Sequence, residues 1–308
     1  MSRNPSASTT NPAANFYAAS APARVLGMAL RLVDRLAPAW SAGSALRLFF
    51  TPLPWKLAGR RALPAPWRQQ SWPFESVRLI SYRRSDVEPG RPVVLLVHGW
   101  AGSGAQMLRL GDALAAGGFD PVLLDLPAHG RSGGWRSTLP QFARALFAAT
   151  ARLGPLHAVV APSLGSLATL HASARGLPVQ RLVLLAPPSP PAQFLDWFAG
   201  SFGLPLTVSA RMRRQIETRE AVNLAEFEPP WLGPRVAQPC LVLHDEADRV
   251  APFAAGTRLV ESLVDARLHA TRGLGHRRIL EDAAVAEQVV AHLQVGGRQA
   301  EVVAPPQR

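Results

Sequence analysis

From Ser76 onward, short apolar runs alternate with stretches of helical period, and this alternation restricts the fold more than any other feature of the chain. "VRLISYRR" reads as a strand, and "PVVLLVHGW" is a continuous apolar run of the kind buried on both faces of a sheet. "GAQMLRLGDALAAGG" has helical spacing and a glycine stop, and "FDPVLLDLPAHG" supplies the next strand. The unit recurs through "LPQFARALFAATARLG", "LHAVVA", "LGSLATLHASARG" and "QRLVLLAPP", then through "QPCLVLHDE", "PFAAGTRLVESLV", "ARLHAT" and "AAVAEQVVAHLQ". Strands separated by helices of this length imply an α/β fold with a mostly parallel sheet covered by helices on both faces. In such sheets reactive groups gather at the carboxyl ends of the strands.

The alternation is interrupted at 189–237, where helical, aromatic-rich sequence stands between "LLAPP" and "QPCLVLH" and reads as a cap inserted into a core of 76–188 and 238–296. Ahead of the core, 23–75 reads as a helical extension. Val25, Leu26, Ala29, Leu30, Val33 and Leu36 recur at helical spacing with Arg24, Arg31 and Arg35 interleaved, and Pro38 ends the first helix. Residues 1–22, rich in Ser, Ala, Asn and Pro without a period, and 297–308 read as tails, the first of them disordered.

Charge is concentrated at the front of the chain. The net formal charge is +12, and residues 1–74 hold nine basic side chains against Asp34 alone. All but Lys56 are arginine throughout the chain, a bias that also follows genomic base composition, so nucleic-acid binding is not inferred. The basic residues of the head alternate with Trp40, Phe49, Phe50, Trp55, Trp67, Trp72 and Phe74. The favoured reading docks these rings on the core with the arginines facing water; the alternative lays 23–74 on an anionic membrane surface. "VLGMALRLV" is cut by Arg31, unlike the apolar stretch of a secretory signal. No run of about 18 uncharged apolar residues is present. The single cysteine, Cys240, lies in a strand pattern and reads as a buried thiol, so a disulfide framework is excluded and a cytoplasmic, reducing location is expected. No zinc-ligand spacing and no phosphate-binding glycine loop is found.

The expected strand ends hold a set of motifs: "HGW" (98–100), "DLPAHGRSGG" (125–134), "APSLGS" (161–166), "HDEADRVAP" (244–252) and "GLGHRRIL" (273–280). In "APSLGS", Ser163 stands between small residues at plus and minus two, Ala161 and Gly165, as a serine on a tight strand-to-helix turn requires. Pro162 pushes Ala161 into an extended conformation, as the end of a strand should be. In order, spacing and context the five motifs resemble the α/β-hydrolase superfamily over roughly 76–294, with Ala161 and Pro162 departing from the usual G-x-S-x-G.

A serine hydroxyl needs a base to take its proton and a third group to orient that base. His276, in a glycine-flanked loop after the last strand, is the candidate base; His157, His171, His269 and His292 sit in or beside strands and helices and read as structural. The resemblance implies Asp248, in "DRVAP", as the helper acid, with Asp245 and Glu246 as alternatives, and the chain order Ser163, Asp248, His276. It implies an oxyanion hole formed by the backbone N–H groups of Trp100 and Leu164, and structural roles near the site for His98, Gly99, Gly165, Asp125, His129 and Gly130. Relatives that attack with aspartate, such as dehalogenases and epoxide hydrolases, need Asp at position 163, so Ser163 implies ester, thioester, lactone or amide cleavage. The expectation is a carboxylesterase or thioesterase acting on a small to medium apolar acyl group through an acyl-enzyme, with no cofactor, no metal, a small-molecule acyl substrate and no nucleic acid, membrane contact through 23–74 being the less favoured alternative. The competing class is a non-catalytic relative that binds an acyl or aromatic ligand in the same pocket.

Overall fold

The computed structural model describes residues 21–52 and 62–295. The expected tails lie outside these residues, except that Ala21 and Pro22 open the first helix; Trp55 and Lys56 also lie outside them. In chain order the elements are α1 (Ala21–Leu36), α2 (Pro38–Phe49), β1 (Trp67–Phe74), β2 (Val77–Arg84), β3 (Val93–Leu96), α3 (Leu108–Ala116), β4 (Asp120–Asp125), α4 (Leu139–Leu153), β5 (Leu156–Pro162), α5 (Leu164–Ala174), β6 (Val179–Leu185), α6 (Pro191–Ser201), α7 (Leu206–Glu220), α8 (Pro229–Leu232), β7 (Cys240–Asp245), α9 (Phe253–Ser262), β8 (Ala266–Thr271), α10 (Gly275–Arg278) and α11 (Ala283–Gln294).

The eight strands form one sheet in the order β1-β2-β4-β3-β5-β6-β7-β8. β1 and β2 are antiparallel and β2 meets β4 antiparallel; the remaining pairs are parallel. The continuous apolar runs arise because both faces of the central strands are buried. Leu95, Val159, Ala161, Leu182, Leu184 and Val242 join one apolar cluster, while Val94, Leu96, Val160, Val183, Leu241 and Leu243 join the other. That two-residue alternation between faces is the pleat itself. Cys240 is buried in β7, and burial pushes its thiol pKa up.

Helix ends follow local chemistry. Thr138 caps α4 by accepting a hydrogen bond from the Gln141 amide at 3.2 Å, and Asp282 caps α11 by accepting one from the Val285 amide at 3.0 Å. Pro38 both ends α1 and opens α2, since its missing N–H costs nothing in the first turn of a helix.

The sequence expectation for 23–75 needs a correction. Residues 67–74 are not helical but form β1, the edge strand paired with β2 from Trp67↔Arg84 to Phe74↔Val77. Trp67, Trp72 and Phe74 point inward and are buried, and Pro73 is tolerated because an edge strand leaves one row of amides unpaired. The rings thus reach the core from within the sheet. Phe49 and Phe50 pack against the core at the end of α2, whereas Trp40 is exposed. The interrupting segment forms α6, α7 and α8, of which α6 and α7 contribute side chains to a cavity at the carboxyl end of β5.

Candidate active site

β5 ends at Pro162, which still pairs with Leu185 of β6, and α5 begins at Leu164. Ser163 is the single residue between them. Its backbone has φ 48° and ψ −127°, a conformation that costs a non-glycine residue about 1–3 kcal/mol. Its amide donates to the Leu185 carbonyl at 2.8 Å, and its own carbonyl accepts from the Ser166 amide at 2.9 Å, so the turn is pinned from both sides. Pro162 fits because its missing amide falls at the last position of the strand.

Two glycines let neighbouring segments approach this turn. A Cβ on Gly165 would stand 2.7 Å from the His98 carbonyl oxygen, and one on Gly99 would stand 2.9 Å from the Ser163 Cβ. Leu164 is the first residue of α5, where an amide has no intrahelical acceptor. Trp100 follows Gly99 across the gap, and both line the same cavity as Ser163.

His276 lines that cavity too. It sits on the short helix α10 rather than in an open loop, reached through Gly273 and Gly275, both at positive φ. Its Nδ1 donates to Asp248 Oδ2 at 2.7 Å. The Asp248 carboxylate is fully buried, which on its own would raise its pKa. Hydrogen bonds from His244 and His276, the charge of His276 and the Ala251 amide outweigh burial and hold it well below the ordinary carboxylate range. Its Oδ1 accepts from the Val250 and Ala251 amides at 2.8 and 2.9 Å.

The two alternative acids do other things. Asp245 accepts from Thr271 Oγ1 at 3.0 Å and from the Leu274 amide at 2.9 Å, tying β7 to the loop that delivers His276. Glu246 is paired on the surface with Arg272 at 2.9 Å. The remaining histidines lie in structural settings. His157 bonds the Leu293 carbonyl at 2.9 Å, His171 stacks on Phe227 with centroids 4.3 Å apart, and His292 accepts from Arg267 at 3.1 Å. His269 lies in β8.

Beneath the site, His98 Nδ1 donates to the Gly99 carbonyl at 2.7 Å and its Nε2 accepts from the Leu126 amide at 3.0 Å, which fixes a neutral imidazole, in keeping with burial lowering its pKa. Asp125 accepts from the Gly104 amide at 2.6 Å, the Arg131 amide at 2.8 Å and the Tyr82 hydroxyl at 3.0 Å. A Cβ on Gly130, which has φ 47°, would fall inside that carboxylate. His129 packs edge-on between Trp100 and Phe142.

The cavity measures about 270 Å³. Its apolar walls come from three places: Trp100, Leu139 and Pro140 of the core, Phe194, Leu195 and Ile216 of the cap, and Phe49 and Phe50 at the end of α2. The last pair was not expected from the sequence, where "LFF" reads only as a docking surface. Gln106, Arg277 and Glu281 add polar atoms. The other cap rings serve packing, with Phe198, Phe202 and Phe227 buried in the core cluster. Among the described residues no group of three or more His, Cys, Asp or Glu side chains is arranged to hold a metal ion.

Residues 92–249 match the family model of the alpha/beta hydrolase fold. No curated protein matches the sequence significantly. Among solved structures, the chain is similar to a membrane phospholipase A described as a bacterial virulence factor (18% identity, 90% of this chain and 99% of that one, TM-score 0.58). It is similar to a serine hydrolase of the polyaromatic-hydrocarbon-degrading bacterium Cycloclasticus zankles (16%, 76% and 100%, TM-score 0.57). A third is the 2-hydroxy-6-oxo-6-phenylhexa-2,4-dienoate hydrolase of Rhodococcus sp. strain RHA1 (17%, 74% and 99%, TM-score 0.56).

Proposed function

Because the chain belongs to the α/β-hydrolase fold family, we propose that it is a serine hydrolase that cleaves an ester or thioester of a small to medium apolar acyl group. One observation carries this reading: Ser163, held at positive φ on a strand-to-helix turn, lines one apolar cavity with His276, whose other ring nitrogen is bonded to a buried carboxylate. An ionised Asp248 that accepts the Nδ1 proton leaves Nε2 of His276 with its lone pair, the form a general base needs.

Ser163 Oγ attacks the acyl carbon as His276 Nε2 takes its proton. The carbonyl oxygen, now anionic, receives the amides of Trp100 and Leu164. Collapse returns the proton from His276 to the departing alkoxide or thiolate and leaves the acyl group on Ser163. Water, deprotonated by the same imidazole, then releases the acid. A cavity of about 270 Å³ with apolar walls suits a short to medium acyl chain better than a sugar or a phosphate. Similar structures that are named as a phospholipase and a serine hydrolase are in keeping with acyl chemistry. The proposal includes a cytoplasmic setting, in which Cys240 stays a thiol.

The test is labelling of the purified protein with a fluorophosphonate, with the modified peptide located by mass spectrometry. A label on Ser163 that is absent in Ser163→Ala and strongly reduced in His276→Ala is expected. Folded protein that takes up neither this probe nor a smaller one would replace the reading with a ligand-binding role for the cavity.

A further inference from the structure

The helix α1 carries apolar side chains on two faces, and only one of them is covered. Leu26, Leu30 and Val33 turn toward the protein, with Leu30 in the core cluster. Gly27 lies against Phe202, Arg31 donates to the Phe202 carbonyl at 2.8 Å, and Asp34 pairs with Arg211 at 3.2 Å, so α1 is fastened to the cap. The other face points outward. Val25, Met28, Leu32 and Leu36 are 61%, 54%, 56% and 76% exposed, and Trp40, 70% exposed, follows at the start of α2.

The charges next to this stripe are ordered. Arg24, Arg31 and Arg35 each immediately precede an outward apolar residue, Val25, Leu32 and Leu36. At about 3.6 residues per turn the three lie on one side of the helix beside the apolar row; Arg31 turns its guanidinium to the cap, and Arg24 and Arg35 edge the two ends of the stripe. An exposed apolar stripe edged by cations is the pattern of a helix that lies in a lipid interface, with the apolar row among the acyl chains and the arginines at anionic headgroups. A second copy of this chain is a poor occupant. The chain carries a net charge of +12, and facing stripes would bring arginine rows together.

We infer that α1 seats this protein on an anionic lipid bilayer. The same helical pair ends in Phe49 and Phe50, which wall the cavity. Resting on the serine-hydrolase reading, the substrate class follows: acyl esters delivered from the bilayer rather than from water.

The test uses the full chain and two kinds of vesicle, phosphatidylcholine alone and phosphatidylcholine mixed with phosphatidylglycerol. Sedimentation with the mixed vesicles, weakened by salt, is expected, with little binding to phosphatidylcholine. Leu32→Glu combined with Leu36→Glu should abolish it, and Arg24→Gln combined with Arg35→Gln should weaken it roughly tenfold or more. Circular dichroism checks that both variants fold. Labelling of Ser163 and turnover of a water-soluble nitrophenyl ester should be unchanged in them, while turnover of an ester dispersed in the mixed vesicles falls. Failure of the wild type to bind mixed vesicles, binding indifferent to both variants, or a concentration-dependent dimer abolished by the glutamates would each overturn the inference. Vesicle binding by a protein that does not label would instead leave the inference standing and remove the hydrolase reading.

Discussion

At the scale of single residues, the buried acid behind His276 decides whether the imidazole can work as a base. In Asp248→Asn the amide keeps the size of the side chain but can present its NH₂ to Nδ1, which places the ring proton on Nε2 and leaves no lone pair there to take the proton of Ser163. The expected outcome is a loss of roughly 10⁴-fold in kcat with labelling of Ser163 slowed in parallel, measured on a nitrophenyl ester. A different histidine governs behaviour in acid. Burial, with help from Arg267 and Arg181, pushes His292 from 6.5 down to about 4. Between these values the unfolded chain binds a proton that the folded one refuses, so stability is whole above pH about 6.5 and declines as pH falls to about 4. His292→Asn should start with a lower melting temperature at neutral pH and lose less of it over that interval. His98 and His171, also lowered by burial, keep the remaining slope from vanishing. Thermal denaturation of both proteins across the interval checks this.

At the scale of elements, the turn between β5 and α5 depends on close approach by the segment after β3. Gly165→Ala would drive a methyl group against the His98 carbonyl, a backbone atom that cannot move without shifting the loop that holds Trp100. A destabilisation of about 2–4 kcal/mol in a urea titration is expected, with labelling of Ser163 lost even in the fraction that folds. Gly176, at positive φ but with open space around it, gives the contrast: Gly176→Ala should be costly only through its backbone and should leave labelling intact. The elements around this turn were legible because β3, β5, β6 and β7 are buried on both faces over their central residues and so each carries a short apolar run. β1 was not legible as a strand. "WRQQSWPF" is half polar and contains a proline, since an edge strand exposes alternate residues and needs fewer amides. The short helix α10 was equally hidden, because four residues that begin at a positive-φ glycine, with a second such glycine just ahead, are too few to show a period. Among Asp245, Glu246 and Asp248, only the resemblance carried by "DRVAP" favoured Asp248; residue type and spacing did not separate them. All three sit within one turn of chain, and only the direction in which each carboxylate leaves the end of β7 separates them.

At the scale of the whole molecule, the cavity is assembled from parts far apart in the chain. Ser163 and His276 come with the core, Phe194 and Ile216 with the cap, and Phe49 and Phe50 with the helix pair before the sheet. The reacting groups could be read from motifs, because each carries its own local geometry. The walls could not, because a phenylalanine in "LFF" looks the same whether it fills a core or borders a void. This distinction can be tested within one residue type. Phe50 is half-buried and borders the cavity, whereas Phe227 is fully buried against His171 and does not. Phe227→Ala should cost about 3–5 kcal/mol of stability and leave the preference among acyl chain lengths where it was. Phe50→Ala opens space beside the acyl group at a smaller cost in stability. It should move the optimum of a nitrophenyl ester series to a longer chain, with kcat/KM for the longer ester gaining roughly tenfold relative to the original best substrate. If both variants lost stability and neither changed the profile, the acyl group would have to lie along the Phe194 side of the cavity, and Phe194→Ala would then be the variant that shifts it.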